Sequence, residues 1–345
     1  MAKVKRNDPC VCGSGKKYKK CCSGRQAAAS TTIRDEKDFQ QFLPRVVAFS
    51  KPYEEELQER IWNDVSELRV LKKDDQQAFV QSLSLWSLFN VDAVDGRTIV
   101  QAFIDEHKHE YSEAFQTFLA QWERIRPGIY KAELIAGNTM TIVEQFDRAE
   151  IRIEMTGAAK QLSEGDMVIG YLYPTLSGYA LGSDVMIIPE DFHHLFFREW
   201  KMFWLYCSEK GRLSDRELLT RSYPAALHIL GGLLTGLVQG IEDDYVKGPY
   251  HDVFHQMMEE TNDEPIPYAV TLLASRVWSE FVKANEPRIT KPAVFSAALE
   301  YYIRQETHVE ALKLSQKKVA DKYGVSPGTV SAKYKLLKEV SAVAQ

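Results

Sequence analysis

The hydrophobic residues of this chain change their spacing twice, and this change constrains the fold more than any other feature. From Asp35 to about Arg126 apolar residues recur at intervals of three and four, as in "YEEELQERIWNDVSEL", which predicts amphipathic helices. From Pro127 to about residue 189 apolar and polar residues alternate, as in "TMTIVEQF" and "AEIRIEM", which predicts β-strands. Helical spacing then returns. The sequence therefore predicts helices, a small sheet and further helices.

Residues 127–189 contain five or six short alternating segments separated by turn-forming residues. Gly137-Asn138, Gly165-Asp166, Gly178 and Gly182 mark these turns, and such spacing is typical of a small antiparallel sheet or barrel. Small barrels often bind oligonucleotides, but this segment lacks a basic face interleaved with aromatic residues. A structural or interaction role is therefore favoured for it.

Four of the five cysteines of the chain lie close together near the N-terminus, in the pattern C-x-C-x8-C-C. A disulfide framework is one interpretation, but adjacent residues have Cα atoms only ~3.8 Å apart, below the range that unstrained disulfides span. Four thiolates can instead converge on one tetrahedral Zn²⁺ ion, and the glycines after the second cysteine allow a tight turn around it. The predicted zinc ligands are Cys10, Cys12, Cys21 and Cys22.

The charge of the chain is distributed unevenly around this cluster. Residues 1–25 carry eight Lys and Arg residues and one Asp, a net charge of +7, whereas the whole chain carries −5, so that −12 remains for the other residues. A basic tip on an acidic body usually serves attraction to an anionic surface.

The segment "RNDPCVCGSGKKYKKCC" resembles the SEC-C motif, the zinc-binding tail of the translocase motor SecA that also occurs in other bacterial proteins. The resemblance covers residues 5–24; it departs at Val11, where the family usually has proline, and at Cys22, where either Cys or His occurs. It implies docking on an acidic partner, such as a ribosome, a chaperone or anionic lipid. The implied contact residues are Lys16, Lys17, Lys19 and Lys20. The alternative is that these lysines face solvent and balance the charge of the thiolates.

The segment "SQKKVADKYGVSPGTVSAKYKLLKEV" predicts a helix-turn-helix near the C-terminus. Ser315 and Ser326 can cap two short helices, Gly324 allows the turn between them, and Pro327 suits the first helical position. Residues 313–338 hold seven lysines and one aspartate, a net charge of +6. This local charge favours contact with phosphate groups.

Residues 267–340 also resemble the cyclin-like repeat of transcription factor IIB, including "KPAVFSAALEYYI" before the helix-turn-helix. The resemblance implies an all-helical region whose last helices contact DNA or a partner. The implied nucleic-acid contacts are Ser326, Thr329, Ser331, Lys333 and Lys335. None of these is an Arg, Asn or Gln that pairs with base edges, and the alternative is that the helix-turn-helix is purely structural.

The predicted fold class is a multidomain α+β protein. Its segments are a zinc knuckle (1–24), a linker with the small polar run "SGRQAAASTT" (25–34), a helical region (35–126), a small β domain (127–189), a helical region (190–262) and a cyclin-like helical domain ending in the helix-turn-helix (263–345). The linker composition predicts a tether rather than a strand or helix.

Two function classes find no support in the sequence. No apolar leader is visible, and the longest apolar run, residues 225–238, is too short and too interrupted to span a bilayer, so a cytoplasmic protein is expected. The chain shows no P-loop, nucleophile elbow, carboxylate pair or complete catalytic metal triad, and no catalytic residue is assigned. The predicted function is a non-enzymatic, zinc-binding adaptor whose knuckle docks on an acidic partner; the alternative is a DNA-binding transcriptional regulator.

Overall fold

The fold is that of a computed structural model, which describes residue 17 and residues 22–68, 71–155, 157–208, 213–238, 248–261, 264 and 266–343. The described helices before the sheet are α1 (Cys22–Ser50), α2 (Glu54–Glu67), α3 (Lys73–Asn90), α4 (Ile99–His107) and α5 (Glu113–Trp122). A short hairpin of β1 (Asp92–Val94) and β2 (Arg97–Thr98) separates α3 from α4. Its turn has positive φ at Asp95 and Gly96, as tight hairpin turns require. The helices predicted for residues 35–126 are confirmed.

The larger sheet is antiparallel and contains β3 (Pro127–Ala136), β4 (Thr139–Glu144), β5 (Glu150–Glu154), β6 (Met167–Thr175), β7 (Gly178–Leu181) and β8 (Met186–Ile188). The strand order is β5-β4-β3-β6-β7, and β8 pairs with the first half of β6. The first and last strands of this order, β5 and β7, also lie close together, so the sheet nearly closes into a barrel. The antiparallel sheet or barrel predicted from the alternating pattern is confirmed.

Strand β6 is buried on both faces, and this position explains its nearly continuous apolar sequence. Val168 and Leu172 belong to the cluster that fills the interior of the barrel. Met167, Ile169 and Tyr171, which alternate with them, join the main core between the sheet and the helices. Successive residues of a strand point to opposite faces, so a strand between two apolar layers needs hydrophobic residues at both.

The helices after the sheet are α6 (His193–Ser208), α7 (Asp215–Arg221), α8 (Tyr223–Leu234), α9 (Pro249–Thr261), α10 (Tyr268–Asn285), α11 (Pro292–Glu306), α12 (Gln316–Lys322) and α13 (Pro327–Val343). Helix α8 is buried along most of its length, which is why its sequence is apolar around the whole helix. Within the described ranges, none of the helices combines the length and apolar character needed to cross a membrane.

One hydrophobic core connects several of the predicted segments. It extends from Phe42 in α1 through α3, α4, α5 and one face of the sheet to α6, α8 and Leu272 in α10. A second cluster holds α9, α10, α11 and α13 together. The domain boundaries proposed from the sequence remain a prediction, but side chains from residues 35–126, 127–189 and 190–262 share this core.

Buried polar contacts connect the N-terminal helices with the C-terminal ones. His228 of α8 is 1% exposed, and its Nδ1 accepts a hydrogen bond from the backbone N–H of Ala269 (3.2 Å). The Nε2 atom of His228 lies 3.6 Å from the Asp64 carboxylate. Glu67 of α2 accepts a hydrogen bond from the backbone N–H of His308 (2.9 Å). Burial lowers the pKa of His228 to about 4, so its ring is neutral at pH 7 and can accept this bond.

The conformation predicted for residues 25–34 is wrong. These residues belong to α1, which begins at Cys22 and continues to Ser50. The run "AAA" consists of alanine, the residue type with the highest helix propensity. The Ser and Thr residues that suggested a tether are also helical here. The chain that follows the cysteine cluster is therefore a helix.

Candidate functional site: the N-terminal arm and the C-terminal lysine surface

The predicted zinc knuckle lies almost entirely outside the described residues. Cys10, Cys12 and Cys21, and Lys16, Lys19 and Lys20, all fall outside them. Lys17 is described and exposed, and Cys22 is the first residue of α1. The zinc ligands and the lysine contacts therefore remain predictions.

Helix α1 is attached to the body of the protein from Arg34 onward. The Arg34 guanidinium donates a hydrogen bond to the Glu110 carbonyl oxygen (2.6 Å), and the Asp35 carboxylate accepts one from the Ser112 hydroxyl (2.8 Å). About two turns further, Phe42 is fully buried. These contacts anchor α1 to the helices α4 and α5 and to the segment between them.

Arg45 strengthens the same attachment through charge and aromatic contacts. Its guanidinium donates to the Glu110 carboxylate (2.7 Å) and to the Tyr111 hydroxyl (2.8 Å), and it lies 5.4 Å from the ring centroid of Phe103. Hydrogen bonds from His107 and Arg45 lower the pKa of Glu110 to about 2. Glu110 is therefore ionised at neutral pH, where it pairs with Arg45.

The C-terminal lysine segment forms two helices, α12 and α13, joined by a turn at Gly324. Ser315 caps α12 by accepting from the Lys318 N–H (3.3 Å), and Gly324 has a φ of 59°. Ala320 and Val330 are fully buried against α11. The arrangement has the local geometry that the capping residues predict; whether it serves as a DNA-binding helix-turn-helix remains a prediction.

Three of the five predicted nucleic-acid contacts have partners within the protein. The Ser326 hydroxyl accepts from the Thr329 N–H (3.1 Å) and lies 2.8 Å from the Thr329 hydroxyl. The Lys333 ammonium lies 4.8 Å from the centroid of the Phe295 ring. Lys335 is exposed and Ser331 is partly buried. These contacts give Ser326, Thr329 and Lys333 roles in capping and packing that do not involve a ligand.

Lys322 also differs from the other lysines of this segment, because it belongs to a partly buried charge network. Its ammonium group donates hydrogen bonds to the carboxylates of Glu264 (2.8 Å) and Glu300 (3.0 Å). The fully buried Glu300 also accepts from Arg304 (2.7 Å) and from the Tyr323 hydroxyl (2.6 Å). The network ties α12 to α11 and to the segment before α10, so Lys322 is not available to a phosphate.

The described part of the chain brings no three His, Cys, Asp or Glu side chains into a group that could hold a metal ion. The donor set of the cysteine cluster does fit zinc, because four thiolates are the ligands of closed structural zinc sites. Zinc at this site would shape the knuckle and supply no reaction chemistry.

Comparison with known proteins bears on these residues and on the whole chain. The chain is 22% identical over 347 residues to the uncharacterized protein YccF of Bacillus subtilis, an alignment that covers 97% of this chain and 95% of that protein. A 20-residue segment is 85% identical to a UPF0225 protein of Geobacter sulfurreducens, and a 17-residue segment is 94% identical to a UPF0225 protein of Vibrio cholerae. These segments are 6% and 5% of this chain and 12% and 11% of those proteins.

No solved structure matches this chain. The resemblance to the transcription factor IIB repeat remains a prediction. The resemblance to the SEC-C motif is confirmed, because a family model for that motif matches residues 6–24. The N-terminal segment of this protein is therefore a SEC-C motif.

Proposed function

We propose that this protein is a zinc-binding adaptor whose SEC-C motif docks on an acidic partner. The observation that carries the proposal is the match of residues 6–24 to the motif, since this range contains all four clustered cysteines. Cys10, Cys12, Cys21 and Cys22 hold one Zn²⁺ ion, and Lys16, Lys17, Lys19 and Lys20 form the docking face.

The charge of the segment supports docking on an acidic surface. A zinc ion with four thiolates carries a formal charge of −2, which the eight Lys and Arg residues of residues 1–25 exceed. The net charge of the motif therefore stays positive after zinc is bound, and a partner that presents carboxylates or phosphates is attracted to it. The attachment of α1 through Arg34 and Phe42 supports the idea that the motif is displayed on a fixed body.

Zinc binding is tested by elemental analysis of reduced, freshly purified protein. One zinc per chain is expected for the native protein, and less than about a tenth of this for Cys21→Ser/Cys22→Ser, because two of four ligands are lost. Cys207→Ser is the matched control: it removes the one cysteine outside the cluster and should keep one zinc. A native protein without zinc would disprove the proposal.

Docking is tested by affinity capture from cell lysate with native protein and with Lys16→Glu/Lys17→Glu. Partners bound through the motif should be lost from this variant and from Cys21→Ser/Cys22→Ser, and their capture should weaken as salt is raised. Lys317→Glu/Lys318→Glu is the matched control, since it reverses the same charges at another adjacent and exposed pair. Equal loss from both lysine variants would show that net charge, and not the motif, selects the partner.

The DNA-binding alternative gains nothing from the described contacts. Ser326 and Thr329 bond to each other, and Lys322 is held by Glu264 and Glu300. The comparisons name no DNA-binding relative. The adaptor function is therefore the one that the observations support best.

A further inference from the structure

A cavity of about 350 Å³ lies between α1, α3 and the strands β6 and β7. Aromatic side chains form much of its wall: the ring centroid of Trp122 lies 4.9 Å from that of Phe42 and 5.6 Å from that of Tyr173. Gln81 and Ser183 also line it and are exposed, so the cavity opens to the surface. Its volume is at the lower end of the roughly 300–1,000 Å³ that small-molecule sites occupy, and it suits a compact ligand.

Two of the residues that line this cavity each carry a buried polar atom that has no hydrogen-bond partner among the described residues. These atoms are Oδ2 of Asp184, which is 6% exposed, and Nε1 of Trp122, which is 3% exposed. Buried polar groups in native proteins are almost always paired, because an unpaired one loses its bonds to water. An unpaired acceptor and an unpaired donor on residues of the same cavity wall are groups that one bound ligand could satisfy together.

The position of Asp184 is fixed by close packing. A Cβ atom on Gly182 would lie 2.1 Å from Oδ1 of Asp184 and 2.2 Å from the Tyr173 ring. Because Gly182 has no Cβ, the Asp184 carboxylate and the Tyr173 ring can lie close to its backbone. Oδ1 of Asp184 makes this close approach, and Oδ2 is the oxygen without a hydrogen-bond partner.

The charge of the wall defines the class of ligand. Among the described residues that line the cavity there is no Lys, Arg or His, and Asp184 is the one acidic side chain. Burial raises the pKa of Asp184, and a cation beside it would reverse that effect. The aromatic faces of Phe42, Trp122 and Tyr173 also attract cations, whereas the carboxylate repels anions.

We propose that this cavity binds a small organic ammonium compound with an apolar body, its ammonium group on the Asp184 carboxylate and a hydroxyl or carbonyl oxygen on the indole N–H of Trp122. The apolar body packs against the aromatic rings. None of the described residues that line this site belongs to the SEC-C motif.

Isothermal titration calorimetry at pH 7.5 with three matched probes tests the proposal. Phenylalaninol carries the ammonium, the oxygen and an apolar ring; phenethylamine lacks the oxygen, and 3-phenylpropan-1-ol lacks the ammonium. Phenylalaninol should bind roughly tenfold more tightly than either, since each lost bond leaves one buried group unpaired. No binding of phenylalaninol at millimolar concentration would show that the cavity holds only water and would overturn the proposal.

Two variants check the residues. Asp184→Asn should weaken phenylalaninol roughly tenfold and leave 3-phenylpropan-1-ol unchanged, whereas Asp191→Asn, at an exposed acid outside the cavity, should change neither. Should Asp184→Asn fail to fold, Trp122→Phe keeps an aromatic ring and removes the N–H, and it should weaken phenylalaninol to the affinity of phenethylamine. Unchanged affinity in a folded variant would overturn the assignment.

Discussion

Replacing Arg304 by methionine should destabilise the protein by about 3 kcal/mol, because it leaves a buried carboxylate short of donors. Arg304 is 2% exposed, and its guanidinium bonds Glu300 (2.7 Å), the Leu312 carbonyl oxygen (2.8 Å) and Glu264. Removing one partner of a buried ion pair typically costs about 3–5 kcal/mol. Glu300 keeps the donors Lys322 and Tyr323, which places the expected cost at the lower end of that range.

The assay is urea unfolding at pH 7 and 25 °C, followed by far-ultraviolet circular dichroism and checked for two-state behaviour. Arg60→Met is the matched control, because Arg60 pairs with Glu56 in the same i,i+4 geometry at 2.8 Å but both side chains are about half exposed. An exposed pair of this kind contributes under about 1 kcal/mol. If Arg304→Met cost no more than Arg60→Met, the buried network would not stabilise the C-terminal helices as argued.

Three further perturbations test other buried contacts. Burial lowers the pKa of His228 from 6.5 to about 4 and raises that of Asp64 from 3.8 to about 7, so acidification from pH 7 to 4 costs stability through His228 and adds stability through Asp64. Between pH 7 and pH 4 the free energy of unfolding of Asp64→Asn, measured by urea titration at each pH, should therefore fall by roughly 3 kcal/mol relative to that of the native chain. A difference between the two proteins that does not change with pH would contradict the assignment. Gly170→Ala should lower the free energy of unfolding by more than about 1 kcal/mol, because φ is 151° and the new Cβ would lie 2.9 Å from the Cα of Val185. An unchanged melting temperature would show that the backbones at Gly170 and Val185 do not lie this close together. Phe42→Ala should cost about 3–5 kcal/mol in urea unfolding, since the ring is fully buried against Trp122, and a cost below about 1 kcal/mol would mean that α1 is not anchored there.

Much of the fold could be predicted from short-range patterns. The alternating segments correspond to β3, β4, β5, β6 and β8, and Ser315 and Gly324 mark the cap and the turn around α12. Strand β7 was hidden, because its four residues begin at Gly178, a residue typical of turns. Its strand character comes from pairing with β6, with Tyr173 opposite Ala180.

The helix over residues 25–34 shows the limit of composition as a guide. Ser, Thr and Ala occur in linkers and in helices, so the local sequence permits both. The helix continues into a segment whose apolar face is buried at Phe42 and Val46. Tertiary packing stabilises helices that local propensity leaves undecided, and the linker prediction had no access to that packing.

The candidate cavity was invisible in the sequence for a similar reason. Trp122 appears as one more apolar position of an amphipathic helix, and Asp184 as a polar residue before a strand. Neither stretch suggests that the indole N–H and the carboxylate line the same cavity. The two residues come to line one cavity because α5 packs against β6 and Trp122 contacts both Tyr173 and Phe42.

The amino-acid sequence alone determined the periods of the helices and strands, the capping of α12 and the SEC-C motif, since each depends on residues within a few positions of one another. Only the tertiary structure decided that Lys322 pairs with the Glu264 and Glu300 carboxylates and that Asp184 and Trp122 line the same cavity. The physical reason is that burial and pairing are set by contacts between residues far apart in the chain, and composition and spacing carry no record of them.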